Sequence, residues 1–153
     1  PDLYFLDITS QYTCATNDPI TILEYRYGGL CWRGPASWNH SNSSILTSEG
    51  EARDGADGSR ARWVLGKGML DGQTAGIAIL SHPSNYNEPS PLRVWGEAIH
   101  NGQTFVNLSP TKTQDWTFEP GRSYSLRYRL IVFSGGIAPA EVESQWQRFA
   151  NEP

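Results

Sequence analysis

Apolar and polar positions alternate along most of this chain with the two-residue period of β-strands, and only its last stretch changes to helical spacing. Residues 123–133 alternate most regularly: Tyr124, Leu126, Tyr128, Leu130 and Val132 share one face, and Arg127 and Arg129 make part of the other polar. Residues 60–65, 74–81, 92–97 and 104–108 predict further strands, with Ile77-Ala78-Ile79-Leu80 the most apolar centre. Residues 3–9, Leu-Tyr-Phe-Leu-Asp-Ile-Thr, read as a largely buried strand. Residues 20–27 alternate as another, broken by Gly28-Gly29, after which residues 30–33 resume an extended path. Turn chemistry punctuates the pattern at Thr16-Asn17-Asp18-Pro19, at Asp54-Gly55 and Asp57-Gly58, across 66–72 as a hairpin connection, and at Asn101-Gly102. Residues 37–43 read as an exposed polar loop carrying Trp38. Residues 82–91, stiffened by three prolines, form the connection best suited to function.

The period then switches. Pro139 suits a first helical turn, Glu141 and Glu143 complement the helix dipole, and Val142, Trp146, Phe149 and Ala150 make one apolar stripe. The expectation is a single all-β domain over residues 1–153, an antiparallel β-sandwich with one C-terminal α-helix at about 139–150.

Composition adds limits. The chain has 153 residues, 12 Lys+Arg against 16 Asp+Glu, and a formal charge of −4, so no basic face is expected to hold nucleic acid. No apolar run approaches the roughly 18 residues of a membrane span. No charged leader followed by an apolar stretch marks a signal peptide. Six Trp and seven Tyr either fill a core or stack on sugar rings. Cys14 and Cys31 could close a loop of about 18 residues in an oxidising compartment, or stay as two buried thiols. Dinucleotide, phosphate-loop, nucleophile-elbow and EF-hand signatures are absent. His40, His82 and His100 lack the spacing of paired ligands, so no metal set is assigned and the cofactor is unknown.

His82 opens the Pro-rich loop and is a candidate acid/base or hydrogen-bond donor; the alternative is an imidazole tying down its own loop. Glu24, Glu49 and Glu97 are candidate carboxylates. Arg33, Arg53, Arg62 and Arg93 are the cationic candidates, and Arg93, just after the Pro-rich loop, could grip a carboxylate or sugar hydroxyls through its planar fork or close a cross-strand ion pair.

The ordered stretches Glu24-Tyr25-Arg26-Tyr27-Gly28-Gly29, Thr47-Ser48-Glu49-Gly50, Arg60-Ala61-Arg62-Trp63, Gly76 through Asn85, Pro91-Leu92-Arg93-Val94-Trp95 and Asn107-Leu108-Ser109-Pro110 resemble the PmoA-like domain family of unknown function. That resemblance implies an exported, periplasmic or extracellular bacterial β-sandwich associated with carbohydrate breakdown, and not a membrane copper oxygenase. It also implies a domain about twice this length whose first half carries a His-rich motif missing here, so that this chain would be half of a larger sandwich. A second chain or a second copy would then pair through a sheet edge. Carried onto matched positions, the resemblance implies a site of His82 with Glu49 or Glu24 as catalytic groups and Asn85, Arg93, Arg62 and Asn107 as substrate-binding groups. The alternative function is a noncatalytic glycan-binding or assembly module, with Trp38 and Trp95 as its stacking platform.

Overall fold

A computed structural model describes residues 2–152. Its strands are β1 (Leu3–Thr13), β2 (Ile20–Ile22), β3 (Leu30–Arg33), β4 (Ser43–Thr47), β5 (Arg60–Ala61), β6 (Trp63–Leu70), β7 (Gln73–Ser81), β8 (Ser90–Val94), β9 (Phe105–Leu108), β10 (Trp116–Phe118) and β11 (Ser123–Ser134). A one-turn helix α1 (Arg53–Ala56) and the C-terminal α2 (Pro139–Ala150) complete it. All strand pairs are antiparallel. One sheet runs β1-β11-β7-β6-β4, a second runs β3-β9-β8-β5, and β10-β2 is a separate ribbon.

The alternation explains the layers. Val64, Ile77, Ile79, Leu126 and Tyr128 of the first sheet meet Leu92, Val94, Val106 and Leu108 of the second in one apolar core. Residues one step out of phase, Trp63, Leu65, Ala78, Leu80, Ile131 and Phe133, turn to the opposite face and are covered by Val142 and Phe149 of α2. Ile77-Ala78-Ile79-Leu80 is thus an unbroken apolar run because both of its faces are buried. The ribbon closes one end, with Trp116 and Phe118 packed against Tyr12 of β1. The protein is an all-β, sandwich-like fold with a single C-terminal helix. No helix is long and apolar enough to cross a membrane.

Four expectations change. β1 is an edge strand, not a buried one: Tyr4 is 65% exposed and Leu6 52%. The strand at 20–27 stops at Ile22, because the next residues form a loop held by side chains from elsewhere. Residues 66–70 belong to β6 and the hairpin turns at Asp71-Gly72; Gly66 and Gly68 sit in a strand because added Cβ atoms would lie 2.9 Å from Trp32 and 2.8 Å from Trp38. Cys14 and Cys31 are both free thiols, Cys31 exposed and Cys14 half-buried.

Candidate functional site

The segment between β2 and β3 helps to build an aromatic-lined concavity. Its backbone is tied from three sides. Glu24 N–H donates to Asp115 Oδ1 at 2.6 Å, Tyr25 N–H donates to Thr111 O at 3.0 Å, and Gly28 N–H donates to Asn107 Oδ1 at 3.1 Å. Asn107 Nδ2 returns bonds to the carbonyls of Gly28 and Leu30. Gly29 has φ of +60°, and a Cβ there would lie 2.5 Å from Leu108 O, so only glycine fits.

A cleft of about 340 Å³ opens beside this loop, lined by Tyr12, Leu23, Tyr25, Tyr27, Trp116 and Phe118 together with Gly28, Gly29 and Thr111. Tyr25 and Tyr27 are 5.9 Å apart and tilted. Leu23 is 68% exposed and Tyr25 59%, so large apolar surface faces water here. Trp116 is shared with a neighbouring polar hollow lined by Ser84, Tyr86, Asp115, Ser123 and Tyr124. There Tyr86 stacks on Trp116 at 4.6 Å and its hydroxyl donates to Asp115 O.

Behind Tyr27, outside the cleft lining, lies a charged cluster. Trp95 Nε1–H donates to the Tyr27 hydroxyl at 3.4 Å, and the Arg93 guanidinium lies 5.7 Å from the Tyr27 ring centre. The indole N–H and the arginine together hold the Tyr27 phenol below its usual pKa. Arg93 also donates to Asp57 Oδ2 at 2.6 Å, and Lys112 donates to Asp57 Oδ1 at 3.1 Å. Burial alone would raise Asp57, but the Val94 N–H, Lys112 and Arg93 outweigh it and hold the carboxyl below its ordinary value. Arg93 and Lys112 spend their charges on Asp57, and the Tyr27 hydroxyl, held by Trp95, is the polar group of this cluster that belongs to a cleft-lining residue.

The sequence candidates divide into two places. Arg93, Trp95, Asn107 and the backbone of Glu24 converge on the Tyr25–Gly29 loop, mostly as its supports. Asn107 is 1% exposed and spends its amide on backbone. Trp95 is 6% exposed, stacked on Phe105 at 4.6 Å, and is no open platform. Trp38 is 2% exposed and donates to Met69 O at 2.7 Å, so the expected exposed loop Trp is a core side chain; the gap at Gly68 admits it.

His82, Asn85, Arg62 and Glu49 lie elsewhere, where α2 and the C-terminal tail meet the first sheet. His82 is buried, with Nδ1 2.7 Å from Ser84 Oγ, Nε2 3.3 Å from the Glu152 carbonyl, and its ring edge-on to Phe149. Burial, then Arg127, pushes the imidazole below its usual pKa. Asn85 replaces strand pairing past the end of β7, accepting from Arg127 N–H at 2.7 Å and donating to Arg127 O at 2.8 Å. Arg62 bridges Glu49 at 3.1 Å and Glu143 of α2 at 3.3 Å, and packs over Trp146. These are clasps rather than a concave site. Among the described residues no group of three or more His, Cys, Asp or Glu side chains could hold a metal ion.

Sequence reasoning missed Tyr25, Tyr27, Trp116 and Asp57. The one available signal was Tyr25-x-Tyr27 directly before Gly28-Gly29, two aromatics set against a forced turn.

Fold and cleft together define a sandwich-like all-β protein with an aromatic-walled groove at the end closed by the ribbon. The chain belongs to the family of unknown function DUF6807, whose model matches residues 1–147. That match carries no PmoA-like link. No curated protein and no solved structure matches the chain.

Proposed function

We propose that this domain is a noncatalytic carbohydrate-binding module whose ligand lies in the Tyr25–Tyr27 cleft, serving an exported, periplasmic or extracellular carbohydrate-processing system. The observation that carries the reading is Tyr25, 59% exposed on a loop tied down at Glu24, Tyr25 and Gly28. Rigid support for a water-facing aromatic has no stability rationale of its own, and a sugar ring covers such a face at little entropic cost. The cleft volume of about 340 Å³ suits one or two sugar rings. The Tyr27 hydroxyl, oriented by Trp95, gives a hydroxyl-binding group in its wall. His82 supports a binding reading rather than a catalytic one, since its ring nitrogens are engaged by Ser84, Glu152 and Arg127.

The test is an isothermal titration of a panel of neutral and uronic oligosaccharides, with product analysis of the same mixtures. Saturable binding without product, weakened at least about tenfold, or roughly 1.4 kcal/mol, in Tyr25→Ala is expected. The melting temperature should hold, because the Tyr25 side chain is largely exposed. Turnover of any panel member, or binding indifferent to Tyr25, would overturn the reading.

A further inference from the structure

Among the described residues β1 is paired on one side only, by β11. Ser134 N–H donates to Asp2 O at 3.1 Å, one step beyond the Leu3–Phe133 pair, so the even-numbered residues of β1 exchange bonds with β11. The N–H and C=O groups of Leu3, Phe5, Asp7, Thr9, Gln11 and Thr13 therefore point away from the sheet. Natural edges of this length are blunted by lysine, proline, bulges or a covering element. This one has neither Lys nor Pro over 11 residues. Its single charge, Asp7, is already forked onto Arg129 at 2.6 and 2.7 Å. Tyr4, Phe5 and Leu6 are 65%, 48% and 52% exposed, and Val132 beside them 39%.

We propose that a second copy of this chain covers the edge, its β1 pairing antiparallel with the first about a two-fold axis at Ile8. That register engages the whole strand: Leu3 faces Thr13 of the second copy, Phe5 faces Gln11, and Asp7 faces Thr9. All six outward-pointing residues then find hydrogen-bond partners. An axis at Asp7 would set two carboxylates opposite each other, and an axis at Leu6 would pair only residues 3–9. The Ile8 register also brings Tyr4 of one copy opposite Tyr12 of the other. Tyr12 stacks on Phe118, with the exposed Ile20 of the ribbon paired to that residue. The strand's apolar end at residues 3–6 thus meets the other copy's polar end at residues 10–13 twice over, as the two-fold axis of an isologous dimer requires, with Tyr4 against Tyr12 as the aromatic contact. The two five-stranded sheets become one continuous sheet.

The test combines mass, exchange and register. Sedimentation equilibrium should give twice the 17.0 kDa chain mass at high concentration, and Leu6→Lys should return it to the single-chain value. Amide exchange at Phe5, Asp7, Thr9 and Gln11 should slow as concentration rises, while even-numbered amides, protected by β11, stay slow in Leu6→Lys and show that it folds. With Cys14 and Cys31 replaced by serine, Ile8→Cys should cross-link two chains on oxidation, its Cα atoms about 4.5 Å apart across the axis. Ser10→Cys, which faces Leu6, should not. A single-chain mass at every concentration with fast exchange at the odd-numbered amides overturns the proposal, as does a dimer in which Ile8→Cys fails to cross-link.

Discussion

Glu88 offers the sharpest physical test. It sits in the connection from β7 to β8, half-buried, where Ser81 Oγ donates to its carboxylate and Ser90 N–H donates to Oε2 at 3.0 Å. Burial outweighs both bonds and lifts its pKa from 4.5 to about 7. A carboxyl whose folded value is raised contributes stability in its neutral form. That contribution is full below about pH 4.5, is lost as pH rises towards about 7, and changes no further above it. At about 1.4 kcal/mol per unit the loss is at most about 3.5 kcal/mol, and partial solvent access brings it nearer 2. Glu88→Gln freezes the neutral shape, keeping an acceptor for Ser90 N–H and an N–H for the Ser81 hydroxyl. Urea unfolding of both proteins from pH 4.5 to 8 isolates this group, because all other titrations cancel in the difference. The variant should match the parent at pH 4.5 and exceed it by about 2 kcal/mol at pH 8. A difference independent of pH, or a variant weaker at pH 8, refutes the reasoning.

Two more outcomes follow from the same contacts. His82→Ala should lower stability by about 2 kcal/mol, read by urea unfolding, since it empties a buried contact with Phe149 and frees the Glu152 carbonyl; a catalytic loop histidine would leave stability unchanged. Because the His82 pKa is depressed, its contribution is present above the unfolded value near 6.5 and is lost as pH falls through the folded one. Gly29→Ala should cost at least about 1 kcal/mol through its positive φ and its clash with Leu108 O, and should weaken glycan titration by displacing the loop.

The layered fold was legible because alternation and burial obey the same two-residue period: β7, β9 and β11 declare themselves in sequence, and so does α2 through Val142 and Phe149. What failed depended on partners that no local pattern names. The apolar Tyr4-Phe5-Leu6 reads as core, yet lies at an edge because nothing in the described chain adds a strand beyond it. Trp38 reads as exposed from its polar neighbours, yet Gly68, 30 residues on, leaves the space that buries it. Arg93, set between apolar Leu92 and Val94, and Asn107, singled out only through the resemblance, both prove to support the Tyr25–Gly29 loop. The cleft itself assembles from β1, residues 22–29, residues 110–118 and Leu126 of β11, four segments whose convergence is purely tertiary. His82 and Asn85 attracted attention for the right physical reason, polar groups in a stiff loop, but their hydrogen bonds close inward on backbone and tail.

The pairing of the first strand with the penultimate element also sets a schedule for biosynthesis. Asp7 and Arg129 are 122 positions apart, so β1 leaves the ribosome long before β11 exists. At about 5–20 residues per second the nascent chain carries Tyr4, Phe5 and Leu6 unpaired for on the order of ten seconds. Neither the central strands, which pair among near neighbours, nor α2 can shorten that wait. Folding of this sheet is therefore gated by synthesis of β11, and its earliest segment is the one a nascent-chain chaperone would have to hold.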